Sequence, residues 1–110
     1  MKTNRRINSK YAGLALEVFG KRIRLERKLK KMTAAELAER AGVSRGLVQR
    51  IEQGNPSCEI GVAFELASIL GVSLFDLDHA DLGGKLDSLK DKIALVPKPI
   101  SRVETISNDF

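Results

Sequence analysis

The sequence predicts an all-α fold: a domain of five short helices, an additional C-terminal amphipathic helix and a flexible tail. Three observations carry this. Apolar residues recur at helical spacings from Tyr11 to Ile93, glycines stand where helices would stop (Gly42, Gly54, Gly71), and no segment before residue 96 alternates in strand fashion. At 110 residues and 43% apolar content the chain makes one small domain with extensions, whose thin core would gain from dimerisation.

Residues 1–10 are polar and read as a flexible basic arm. The domain is expected over 11–78. The first helix, Tyr11 to Lys31, carries two stripes: Leu16, Phe19, Ile23 and Arg27 on one face, Leu14, Val18, Leu25 and Leu29 on another. Two stripes suggest burial on two sides, either in a wide core or against a partner. Thr33 and Glu36 make a capping box, in which the hydroxyl serves a free amide and the glutamate reaches back. Leu37, Ala38 and Ala41 form the apolar face of that second helix, and Gly42 suits a left-handed cap. Ser44 caps a third helix, 44–53, with Val48 and Ile51 inward and Gly54 at its end. Ile60 to Leu70 is the fourth, with Ala63, Phe64, Ala67 and Leu70 on one face and Gly71 closing it. Ser73 would cap a short fifth helix with Leu74 and Leu77.

Gly83-Gly84 reads as a break or joint. Leu82, Leu86, Leu89 and Ile93 recur at i, i+4, i+7 and i+11, so 81–96 is an amphipathic helix with a narrow seam for dimer or partner contact. Val96-Pro97-Lys98-Pro99 ends it on an extended path, and 97–110 is expected to be extended or disordered.

The charge is unevenly spread. Residues 1–54 hold 14 Lys or Arg against 5 Asp or Glu, whereas 55–110 hold 5 against 9. A basic half suits nucleic acid or another acidic surface, and an acidic half can meet a different partner. No signal-type leader or membrane span is expected: the longest unbroken apolar run is Ile93 to Val96. A cytoplasmic protein is the reading. Enzyme chemistry has no foothold, since there is no activated Cys–His pair, no Gly-rich phosphate loop and no carboxylates around a histidine. Cys58 and His79 are too few for a structural zinc site, and no cofactor is implied.

Thr33 to Gly54, TAAELAERAGVSRGLVQRIEQG, is therefore the informative stretch. Two short capped helices around Gly42 make a helix-turn-helix. Ala38 is small enough for the helices to cross closely, and the outward face of 44–53 is left free to enter a major groove. Arg45, Gly46, Gln49 and Arg50 lie on that face. Arginine can donate twice to guanine and glutamine suits adenine. Gly46 either brings backbone close to DNA or is a tolerated imperfection costing about 1 kcal/mol. Leu47 falls outward on the helical wheel, to touch a thymine methyl or pack on a neighbour.

Residues 20–77 resemble the five-helix Cro/C1-type (Xre-family, lambda-repressor-like) DNA-binding domain. The matching residues are Gly20, Ile23 and Arg27; Thr33, Glu36, Leu37 and Ala38; Gly42-Val43-Ser44; Ile51-Glu52 and Gly54; and Ala67, Leu70-Gly71-Val72-Ser73. The resemblance implies a structural ion pair, Arg27 with Glu52, and base reading by Arg45, Gly46, Gln49 and Arg50. It also implies phosphate contacts at Thr33, Ser44, Leu47, Gln53 and Asn55. Ala34 stands where the family often has glutamine, so that contact is either missing or replaced, by Lys31 or Arg40.

The segment after the domain, with its helix, prolines and terminal Asn108-Asp109-Phe110, resembles HipB-like antitoxins encoded beside HipA-like kinase toxins. The combined expectation is a homodimeric repressor on palindromic double-stranded DNA, possessing a kinase-like toxin partner. A stand-alone, phage or restriction-modification regulator and an interaction module that no longer binds DNA are the alternatives.

Overall fold

A computed structural model describes residues 9–99. The expected tail beyond Pro99 and all but the last two residues of the expected arm lie outside them. Among the described residues, five α-helices and one 3₁₀ turn make up the regular structure: α1 (Lys10–Leu29), α2 (Ala34–Ala41), α3 (Arg45–Glu52), α4 (Ile60–Leu70), the 3₁₀ turn His79–Asp81, and α5 (Leu82–Leu95). The described chain divides into two compact units between Asp76 and Leu77. No helix among the described residues is long and apolar enough to cross a membrane.

Local chemistry sets the helix ends. Ser9, read as part of the arm, instead caps α1, its hydroxyl accepting from the Ala12 amide at 3.2 Å. At Thr33 the capping box is complete: the Glu36 amide donates to Thr33 Oγ1 at 3.0 Å and the Thr33 amide to Glu36 Oε1 at 2.8 Å. Gly42 and Gly71 close α2 and α4 at φ 72 and 73. In each case the next valine amide reaches back, Val43 to Ala38 O at 3.0 Å and Val72 to Ala67 O at 2.9 Å.

The first unit is a core with helices around it. Ile23 of α1, Leu37 and Ala38 of α2, Val48 and Ile51 of α3, and Leu66, Ala67 and Leu70 of α4 are buried together, and Val72 seals the end. Burying a large aliphatic side chain contributes about 1.5–3 kcal/mol. The inward face of α4 is centred differently from the sequence reading: Leu66 is fully buried, whereas Ala63 and Phe64 are only half-buried.

Three other expectations are corrected. Ser73 starts no helix: Phe75 and Asp76 both adopt positive φ (57 and 56), so the chain turns where Leu74 and Leu77 were placed on a helix. Half-buried Leu74 packs against the core, and Phe75 meets Phe64 edge-on at 6.1 Å. Leu47 does not face outward; it is half-buried and packs against the core. Gly83-Gly84 does not break the chain but lies in the first turn of α5, where several helix amides have no intrahelical partner in any case.

In the second unit α5 follows directly on the 3₁₀ turn and ends at Val96, whose extended φ and ψ (−75, 127) suit a residue before proline. No residue of α5 is buried. On α1 only one stripe is covered. Gly20, Ile23 and Arg27 are buried, while Leu14, Val18, Leu25 and Leu29 are exposed.

Candidate nucleic-acid interface

α2, the Gly42 turn and α3 form a rigid corner because each helix start is capped and the turn is closed by backbone hydrogen bonds. Ser44 Oγ accepts from the Leu47 amide at 3.1 Å. Leu47, Val48 and Ile51 pack α3 inward, which leaves Arg45, Gln49 and Arg50 exposed on its other side. Gly46 lies among them. A Cβ there would stand 3.4 Å from Arg50 Nη1, so the guanidinium lies back along the glycine.

α1 grips the other end of α3. Arg27 Nε donates to Glu52 Oε2 at 2.7 Å and Nη2 donates to Oε1 at 2.9 Å, a two-bond fork with Arg27 8% and Glu52 2% exposed. Those hydrogen bonds raise the Arg27 pKa above its usual value, against burial, which lowers it. Arg27 Nη1 also donates to Met32 O at 2.9 Å, tying the end of α1 to the approach of α2. Two further cations converge here that the sequence reading missed. Lys21 Nζ donates to Glu52 O at 3.2 Å, and Arg24 Nη1 stands 3.8 Å from Glu52 Oε1. Gly20 makes this crossing possible: a methyl there would overlap Ile51 O and stand 2.6 Å from Glu52 O. Glycine on the same α1 face as Ile23 and Arg27 was the available signal for that close approach.

The residues assigned to phosphate are spread around this corner. Thr33 and Ser44 are exposed caps whose side chains are engaged by amides. Exposed Lys31, at φ 56, and Arg40 line one shallow hollow beside Lys30, Met32, Glu36 and Glu39. Ala34 packs against the core. Gln53 is exposed at the end of α3, and Asn55 Oδ1 accepts from the Ser57 amide and hydroxyl at 2.8 and 2.7 Å. The Leu47 side chain is turned away and its amide is occupied by Ser44. Leu82, Leu86, Leu89 and Ile93 belong to the second unit, with Leu82 half-buried and the others 52%, 44% and 70% exposed. Cys58 packs half-buried against the core, and His79 is exposed in the 3₁₀ turn. Among the described residues no His, Cys, Asp and Glu gather in a group of three or more fit for a metal ion.

A family model described as helix-turn-helix matches residues 23–77, half of the chain. No curated protein and no solved structure matches it. The matched segment holds the buried end of α1, the capped corner and α4, and with them the chain belongs to the Cro/C1-type helix-turn-helix family of DNA-binding transcription regulators.

Proposed function

We propose that this regulator is a sequence-specific repressor that binds a palindromic operator as a homodimer, and that it is the autoregulating antitoxin of a type II toxin–antitoxin module with a HipA-like kinase toxin. The observation that carries the DNA reading is the capped corner that exposes Arg45, Gln49 and Arg50 together on α3. Inserted in a major groove, the two arginines donate to guanine O6 and N7, and Gln49 pairs with adenine. Gly46 admits the backbone to the groove. Lys31, Arg40, Gln53 and Asn55 lie near the duplex backbone, and the Thr33 and Ser44 caps hold the helix starts that face it. In a dimer the two copies of α3 would sit about 34 Å apart, one turn of duplex.

The antitoxin reading rests on the resemblance of α5 and its proline-containing exit, and on the open apolar seam Leu86, Leu89 and Ile93. That seam is surplus to the first unit, whose core is complete without it.

Mobility-shift titration on the chain's own promoter and on random duplex tests the first part, with preference for the promoter expected. Equal affinity for both overturns it, and absence of any binding favours an interaction module. Co-purification with the neighbouring gene product, and restored growth when the two are expressed together, test the antitoxin role. A neighbour that neither binds nor harms growth leaves a stand-alone regulator.

A further inference from the structure

The outer face of α1 has no role in the DNA reading. Tyr11, Leu14, Val18, Leu25 and Leu29 form one stripe along the helix, 82%, 54%, 68%, 52% and 65% exposed, opposite the buried Gly20, Ile23 and Arg27. A helix of 20 residues carries this stripe for about 30 Å. Its first half precedes residue 23, where the family match begins. A contiguous exposed apolar row of this kind marks an interaction surface.

We propose that the stripe joins α1 to α1 of a second copy, antiparallel about a two-fold axis near Gly20. The stripe is nearly self-complementary under that operation. Tyr11 falls opposite the second copy's Leu29, Leu14 opposite Leu25, and Val18 opposite Arg22. Arg22 is already paired with Glu26 at 3.5 Å, so its aliphatic stem can lie over Val18. The charged edge is self-complementary as well. Glu17 and Lys21 line the same trough as Leu14, Val18 and Leu25, and the two-fold sets each Glu17 against the other copy's Lys21, whose ammonium keeps its bond to Glu52 O and has further donors to offer. Lys10 and Lys28 meet only at the exposed ends, where salt screens them. Such an interface is isologous, the usual form of a homodimer. It names the interface of the homodimer proposed above and is tested without DNA, so it can fail or stand separately from the base contacts of α3.

Sedimentation velocity of the full chain without DNA, over a range of concentrations, tests this. The unmodified chain is expected to show a concentration-dependent dimer. Val18→Asp with Leu25→Asp should raise its dissociation constant by more than about tenfold while circular dichroism keeps its helix content, because both residues are exposed. Leu86→Asp with Leu89→Asp should leave the dimer intact. Glu17→Lys should weaken it by about fivefold, and Glu17→Gln should weaken it by less. A chain that stays monomeric, a dimer that survives the Val18 and Leu25 changes, a dimer lost through Leu86 and Leu89, or a Glu17→Lys dimer as tight as the unmodified one each overturns the proposal.

Discussion

Arg27 holds Glu52 by both carboxylate oxygens, 2.7 and 2.9 Å away, with almost no solvent access to either side chain. Removing one partner leaves a buried charge alone. Arg27→Ala or Glu52→Ala is therefore expected to cost about 3–5 kcal/mol in urea unfolding. Arg27→Lys should rescue only part, since an ammonium cannot reproduce the fork. Replacing both by leucine should cost less than either single alanine. The raised Arg27 pKa stabilises the fold below the unfolded-state value and loses that effect only as pH climbs through the still higher folded-state value. Arg27 thus contributes no stability change across the neutral range.

Two glycines of α1 should respond in opposite senses. At Gly20 an added methyl overlaps Ile51 O, so Gly20→Ala should destabilise the protein and, by displacing α3, weaken operator binding. At Gly13 a Cβ meets nothing within 4 Å, and Gly13→Ala should stabilise by about 0.5–1 kcal/mol. Thermal unfolding of the two variants checks the contrast.

The helix caps should be worth about 1 kcal/mol each. Thr33→Ala removes the acceptor of the Glu36 amide, and Ser44→Ala that of the Leu47 amide. Denaturant midpoints of the two variants, set beside the exposed Ser68→Ala as a control, measure this.

On the operator, Arg45→Ala and Arg50→Ala should each lose about 1–3 kcal/mol of discrimination against altered guanine positions. Lys31→Ala and Arg40→Ala should weaken all sequences alike, each lowering the slope of log affinity against log salt by about 0.9. Titrations at several salt concentrations, on operator and random duplex, separate the two classes.

The parts of the fold legible in the sequence are those governed by local chemistry. Thr33 with Glu36, Ser44, Gly42 and Gly71 each act on amides and carbonyls within a few residues, and the structure places them as caps. Contacts made across helices were less legible. Leu47 looks outward on a wheel of eight residues, but the rest of the core reaches around α3 to meet it. Leu66 stands at helical spacing from Ala63 and Leu70, and it is fully buried where α4 packs on α1 and α2, whereas Phe64 lies at the edge of that face. Ser73 carries a capping side chain, yet two left-handed residues follow it, which no helix accommodates. At the candidate interface, the exposed Arg45, Gln49 and Arg50 follow from the inward Val48 and Ile51. The reach of Lys21 to the end of α3 depends on the α1–α3 crossing and had no local signal.

The grip of α1 on Glu52 has an evolutionary consequence. α3 is anchored at its carboxyl end by Arg27, Lys21 and Gly20, and along one side by Leu47, Val48 and Ile51. Its exposed residues carry none of that anchorage. The scaffold can therefore keep its shape while Arg45, Gly46, Gln49 and Arg50 mutate; if these residues read bases as proposed, operator preference can drift between lineages, or be rewritten by a designer, without the fold having to be reinvented.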